Sequence, residues 1–205
     1  MNLDTQLIVF VKAPRAGTVK TRLAKAMGEA AACSAYRRLV EVVLNNLSGL
    51  PLELRYTPDD AAPEIQPWLR TGWQACPQGE GDLGARLQGA CDQHFSAGAK
   101  AVVIIGSDCP HVTRDDIREA SRLLRKCDLV LGPATDGGYW LIGLRQPQPA
   151  LFEGIRWGTE EVLAQTLERA RNASLKIQLL RILSDVDTQK DWNEFVNSSR
   201  TMPAG

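Results

Sequence analysis

The chain has 205 residues, and its 24 Lys plus Arg are cancelled by 24 Asp plus Glu. Proteins that live on non-specific attraction to DNA, RNA or anionic lipid carry a basic excess, so nucleic acid is excluded as the leading partner. Apolar residues at 44% and charged residues at 23% are ordinary globular proportions, which excludes wholesale disorder.

Met1 to Thr5 lead into a short apolar run that soon meets Lys12. No basic segment precedes a signal core, and no stretch of about 18 apolar residues follows, so a cytoplasmic chain without membrane insertion is expected. Leu7 to Val11 form a continuous apolar run, the pattern of a strand buried on both faces. Ala32, Tyr36, Leu39, Val40, Val43 and Leu47 fall at helical spacing and predict a helix over 28–47. Leu52 to Tyr56 is a strand candidate. Leu83, Leu87, Ala90, Cys91 and Phe95 make a second buried stripe, and Ala101 to Ile105 a second apolar strand. Thr113-Arg114-Asp115-Asp116 resembles a capping box, with Asp in place of Glu, ahead of Ile117, Ala120, Leu123 and Leu124. Leu129 to Leu131 and Tyr139 to Leu144 read as strands, Val162 to Ala170 as a helix, and Leu175 to Leu180 as a last strand. This alternation implies one α/β domain over 1–196, with a mostly parallel sheet covered on both faces. Residues 197–205 are expected to be a frayed tail.

The five cysteines (Cys33, Cys76, Cys91, Cys109, Cys127) are odd in number and lack a Cys-x-x-Cys pair. They read as reduced apolar fillers rather than a zinc or disulfide framework. His94 and His111 have no Ser or Cys arrangement that spells a hydrolytic triad. Trp68, Trp73 and Trp157 fit core, cleft or interface alike.

In such sheets ligands bind beyond the carboxyl ends of the strands. After the first strand, residues 1–25 hold five basic residues against one acid, and Lys12 to Leu23 include Gly17, Lys20, Thr21 and Arg22. A Gly-containing loop with flanking Lys and Arg suits phosphate; the alternative is a solvated basic loop. A P-loop it is not, because Val19 stands where the motif requires Gly. After the strand at 101–105, Asp108 in Gly106-Ser107-Asp108-Cys109-Pro110 is placed to hold Mg²⁺ against phosphates, or to cap a turn. Asp185 and Asp187, if extended, project to one face while Val186 turns inward, and two like charges side by side favour a cation between them. Asp187 or Thr188 also suits a helix cap. Asp136-Gly137-Gly138 makes a tight turn, and Gly81-Asp82-Leu83-Gly84 opens a helix with Asp82 as its cap.

Taken in order, these segments resemble the GT-A-fold nucleotide-diphospho-sugar transferases of bacteria. They are most similar to the small glycosyltransferase-like family of the DUF2064 type, related to phospholactate guanylyltransferases and molybdenum-cofactor nucleotidyltransferases. The matching stretches are Pro14-x-x-Gly17-x-x-Lys20-Thr21-Arg22-Leu23, Gly81-Asp82-Leu83-Gly84-x-Arg86, Gly106-Ser107-Asp108-x-Pro110, Gly132-Pro133-Ala134-x-Asp136-Gly137-Gly138-Tyr139 and Asp185-Val186-Asp187-Thr188. The resemblance implies a single Rossmann-like GT-A domain, a three-layer sandwich with a mostly parallel mixed sheet. It implies Lys20 and Arg22 on the phosphates of a nucleotide, with Pro14, Gly17 and Thr21 in the same pocket. Gly81, Asp82, Gly84, Gly137 and Gly138 would line the base, ribose or acceptor part of the cleft. Asp108, Asp185 and Asp187 would hold Mg²⁺ or Mn²⁺. Lys20, Arg22 and Asp108 would act in catalysis, with Asp136 as the candidate general base.

The implied activity is Mg²⁺-dependent transfer from a nucleotide-diphospho-sugar to a small-molecule acceptor. Transfer of a nucleotidyl group, guanylyl or another, from a triphosphate to a phosphorylated small molecule is the alternative, and a non-catalytic nucleotide-binding module the second. Many glycosyltransferases of this fold carry Asp-x-Asp where Ser107-Asp108-Cys109 supplies one carboxylate.

Overall fold

A computed structural model describes residues 5–201. Seven strands form one sheet: β1 (Thr5–Lys12), β2 (Glu53–Thr57), β3 (Gln74–Pro77), β4 (Ala101–Ile105), β5 (Leu129–Pro133), β6 (Tyr139–Leu144) and β7 (Ile177–Leu179). Their order is β3-β2-β1-β4-β6-β5-β7, and β6 alone runs antiparallel to its neighbours β4 and β5. The helices are α1 (Thr21–Met27), α2 (Glu29–Asn46), α3 (Ala62–Ile65), α4 (Leu83–Ser96), α5 (Arg114–Leu123), α6 (Val162–Asn172) and α7 (Gln189–Thr201).

The period-two geometry of a strand explains why β1 is apolar throughout. Leu7, Val9 and Val11 join one core with Tyr36, Val40 and Val43 of α2 and Ile117 and Ala120 of α5. Ile8 and Phe10 join the opposite core with Leu87, Ala90 and Cys91 of α4 and Ala170 of α6. Helices cover both faces, giving the three layers expected. The capping box of α5 is complete: Thr113 Oγ1 accepts from Asp116 N while Asp116 accepts from Thr113 N.

Two expectations change, and two features are new. Leu83 leaves the buried stripe and is 43% exposed at the start of α4. β3, unheralded by any alternation in Gln-Ala-Cys-Pro, is held by parallel pairing to β2. Residues 197–201 continue α7 rather than starting a tail, and 202–205 lie outside the described residues. His94 sits in a buried polar cluster, its Nε2 3.2 Å from Glu53 Oε1, the carboxylate that also takes a hydrogen bond from Arg55 Nε.

Burial alone would push the Glu53 carboxyl up, but the hydrogen bond from Arg55 and the nearness of His94 prevail and hold it below its ordinary value. A depressed carboxyl stabilises the fold at pH above its unfolded value of about 4.3, and the contribution disappears as pH falls through the lower folded value. Melting temperature followed from pH 7 down to pH 3 is therefore expected to fall, and Glu53→Gln to flatten that acid limb.

Candidate active site

The carboxyl edge of the sheet gathers three loops. The loop leaving β1 ends on Lys20, which adopts a left-handed backbone (φ 49°, ψ 47°) as it caps α1. A non-glycine residue held there stores strain, a feature that clusters at ligand-binding sites. The loop leaving β4 carries Asp108. The segment after β7 crosses beside it, tied by Val186 N to Asp108 O at 3.1 Å and by a bridge pairing Ala134 with Leu183. Val186 is buried against Leu39 and Phe195, leaving Asp185 and Asp187 half-buried on the cavity side, the shared face expected of an extended run. Thr188 then caps α7 by exchanging hydrogen bonds with Asp191.

Lys20 joins these loops. Its Nζ lies 2.7 Å from Asp108 Oδ1 and 2.9 Å from Asp187 Oδ1, and its side chain is only 3% exposed. Burial alone would lower its pKa, but the two carboxylates outweigh that and hold it above the ordinary value, so the ammonium stays charged. Arg22 Nη1 reaches Asp187 Oδ2 at 3.6 Å. The basic stretch is thus no free cationic patch: Arg15 is also taken, by Glu64 and Asp60.

Asp185 is not crowded by Asp187. Burial, with the charges of Asp108 and Asp136, pushes its carboxyl up to about 6, against the hydrogen bond from Cys109 Sγ and the charge of Lys20. The Cys109 thiol is itself pushed up by burial and by Asp185, so it stays protonated and donates. All five cysteines are free thiols, four of them buried.

Three cavities meet at these carboxylates. The first, about 400 Å³, lies over β1 and β4 and is lined by Lys12, Thr18, Lys20, Thr21, Arg22, Tyr36, Gln78, Leu83, Ser107, Asp108 and Asp187 among others. Gln78 is fixed there, its Nε2 donating to Val11 O and Arg55 O at 3.0 Å. The Tyr36 hydroxyl accepts from Lys12 N at 2.8 Å and lies 3.2 Å from Ser107 Oγ. The second, about 430 Å³, runs between Asp136, Asp185 and Asp187 and the start of α7, with His111 and Phe195 in its wall. The third, about 580 Å³, lies between the Asp136–Gly138 turn and Trp157–Glu160, and shares Arg22, Leu83, Asp108, Asp185 and Asp187.

Of the residues singled out in the sequence, Lys20, Thr21, Arg22, Asp108, Asp136, Gly138, Asp185 and Asp187 line these cavities. Pro14, Gly17, Gly81, Asp82, Gly84 and Gly137 are absent from their linings. The Pro14 carbonyl accepts from Cys33 Sγ and Arg37 Nη2, and Gly17 (φ +82°) turns beside the Glu29 carboxylate. Asp82 caps α4 by accepting from Ala85 N at 2.8 Å. Gly84 and Gly137 are close-packed, against Trp157 and against the Glu160 backbone. Gln78, Tyr139 and Trp157 line the cavities without having been assigned to the site. Leu83 is the member of the Gly81-Asp82-Leu83-Gly84 segment that reaches the cleft.

Among the described residues, no three His, Cys, Asp or Glu side chains converge closely enough to cage a metal. No helix among the described residues is long and apolar enough to cross a membrane.

Residues 39–159 match the family described as Uncharacterized protein conserved in bacteria (DUF2064). The chain is a DUF2064 protein. A crystal structure from Desulfovibrio desulfuricans G20, provisionally described as a nucleotide-diphospho-sugar transferase, is 35% identical; it superposes with a TM-score of 0.90 over 98% of this chain and 89% of that one. More distant structures share the fold. The CMP:2-keto-3-deoxy-manno-octonic acid synthetase complexed with CTP matches at 10% identity and a TM-score of 0.59, over 97% of this DUF2064 chain and 100% of its own. Rv0371c from Mycobacterium tuberculosis H37Rv, in complex with manganese, matches at 15% and 0.58, over 95% and 99%. No curated protein matches the chain.

Proposed function

We propose that this DUF2064 protein is a metal-dependent transferase that uses a nucleotide-diphospho-sugar donor and a small-molecule acceptor. The observation that carries the reading is the buried Lys20 ammonium shared by Asp108 and Asp187 where three cavities meet. The 35% identical relative supports donor-sugar chemistry. The single carboxylate of Ser107-Asp108-Cys109, with the CTP-bound structural neighbour, favours nucleotidyl transfer as the second reading.

Mg²⁺ or Mn²⁺ would be held by one or two of Asp108, Asp185 and Asp187, with water and the ligand's phosphates completing its shell, and would neutralise charge on the departing diphosphate. Lys20 supplies a fixed positive charge on the same side, already desolvated and needing no reorganisation. Arg22, two-thirds exposed, is free to swing from Asp187 onto a phosphate. Thr18 and Thr21 add hydroxyl donors along the first cavity, and Leu83 offers an apolar face to a base or sugar. Asp136 stands across the carboxylates and would take a proton from an attacking hydroxyl.

The test is a thermal-shift screen with Mg²⁺ or Mn²⁺ across nucleoside triphosphates, diphosphates and sugar nucleotides. A ligand at 100 times its Kd adds about 2.7 kcal/mol, a shift of roughly 5–10 °C for a chain of this length. Lys20→Ala is expected to erase most of that shift while leaving the unliganded melting temperature within a few degrees, because Asp108 and Asp187 are each exposed enough to be solvated. Undiminished calorimetric affinity in that variant would remove Lys20 from the phosphate site.

A further inference from the structure

The first and third cavities share their carboxylates but differ in chemistry. Lys12, Lys20 and Arg22 face Asp108 and Asp187 in the first, a balance suited to phosphates. In the third, Arg22 alone faces five carboxylates: Asp108, Asp136, Glu160, Asp185 and Asp187. Lys20 pairs with Asp108 and Asp187 from the side of the first cavity, so the acidic character of the third rests on Asp136, Glu160 and Asp185. A phosphorylated group entering there would meet the like charges of Asp136 and Glu160, which costs more than its contacts return.

The opposite wall is apolar and built. Trp157 stands edge-on to Tyr139, ring centroids 6.5 Å apart, and Leu83 lies exposed beside them. Two glycines allow this wall to close. A Cβ on Gly84 would lie 2.8 Å from Trp157 Nε1 and 2.7 Å from Phe152 O, so only glycine lets α4 approach the indole. Gly137 packs against the Glu160 carbonyl and, through Leu163 N to Gly137 O at 2.9 Å, ties the Asp136 turn to the segment bearing Trp157. The indole Nε1 is buried with no hydrogen-bond partner among the described residues, which marks the ring as seated by packing rather than by polar contacts.

We infer that this third cavity takes an uncharged, hydroxyl-bearing ring: a sugar laid against Trp157 and Leu83, with its hydroxyls on Asp136 and Glu160, and not a phosphorylated group. The inference rests on the transferase reading for the nucleotide next door, but not for its own chemistry. An aromatic face beside hydroxyl-accepting carboxylates suits the C–H face and O–H rim of a sugar. The ring belongs either to the donor or to the acceptor.

The full chain, with Mg²⁺ and the nucleoside diphosphate selected by the thermal screen, is titrated with methyl glycosides of glucose, galactose and mannose. Glucose phosphate and phosphoglycerate are titrated in parallel, and saturation-transfer NMR reports binding. At least one neutral glycoside is expected to bind and the phosphorylated probes to bind more weakly. Trp157→Ala is expected to weaken the glycoside about tenfold or more and leave nucleoside diphosphate affinity within about twofold. Trp157→Phe retains most of the binding and guards against a folding defect. Glu160→Lys, at an exposed position, is expected to admit the phosphorylated probes.

Sugar nucleotides distinguish the sources. If Trp157→Ala removes the affinity advantage of a sugar nucleotide over its diphosphate, the ring is the donor's; if it removes only glycoside binding to the diphosphate complex, the ring is the acceptor's. No glycoside binding, phosphorylated probes binding as well or better, or an unaffected Trp157→Ala overturns the inference. The titration is repeated on the nucleotide-free chain. Glycoside binding at Trp157 in a protein that takes no nucleotide keeps the inference and sinks the transferase reading, whereas nucleotide binding without glycoside binding does the reverse.

Discussion

Asp187→Asn and Asp108→Asn are each expected to reduce metal-dependent turnover by on the order of 10²–10³, the loss seen when one preorganised electrostatic contact is removed. The melting temperature of each should stay near wild type. The reason is the shared ammonium: Asp187→Asn leaves Lys20 on Asp108 at 2.7 Å, and Asp108→Asn leaves it on Asp187 at 2.9 Å. The isosteric amide keeps the shape and an acceptor oxygen but removes the charge that a divalent cation requires.

The double variant is different. It strands a 3% exposed ammonium with neither carboxylate, and about 1–3 kcal/mol of stability should be lost. At roughly 2–4 °C for each kcal/mol, this is a visible drop in melting temperature. Activity assays on the two single variants, with calorimetric scans of all three, make the check. Full activity in both single variants removes the metal assignment, and equal stability in single and double variants removes the shared-ammonium account.

The frame of the fold was legible because its two periodicities are clean. Leu7 to Val11 alternate between two cores, and Tyr36, Val40 and Val43 repeat along one helix face. The antiparallel pairing of β6 with β5 was legible in the hairpin suited to Asp136-Gly137, whereas the place of β6 between β4 and β5 was not. β3 carries no pattern at all and exists because β2 presents an open edge. At the site, the carboxylates and the basic loop were legible as residue types, and their meeting was not. The zero net charge hides a local excess at residues 1–25, yet Arg15 is taken by Glu64 and Lys20 is locked between Asp108 and Asp187 across 88 and 167 residues of chain. Nothing in the sequence joins Glu53 and Arg55 to His94; the packing of α4 on β2 buries them together. Burial of charge is a property of tertiary contact, not of composition.

Gly137→Ala is expected to be the most destabilising single methyl addition on the site's rim, and its consequences separate two roles for the turn. Gly137 has φ +87°, where an L-residue costs about 1–2 kcal/mol. The added Cβ would lie 2.1 Å from Glu160 O, and a backbone carbonyl cannot swing aside. Relieving that contact by moving the chain adds about 1–3 kcal/mol, so the melting temperature should fall by roughly 5–15 °C. Gly138→Ala is the control. Its Cβ would meet only the Asp136 carboxylate at 3.2 Å, and the effect should be much smaller. If Gly137 contacts the nucleotide directly, Gly137→Ala should weaken nucleotide binding at temperatures where the variant is folded. If its work is to hold the Asp136 turn against Trp157–Glu160, nucleotide affinity survives, because neither segment lines the first cavity. Turnover would nevertheless fall, since Asp136, whose Oδ1 accepts from Gly138 N at 2.9 Å, moves with the turn. Retained affinity with lost turnover supports the second role, and parallel loss of both supports the first.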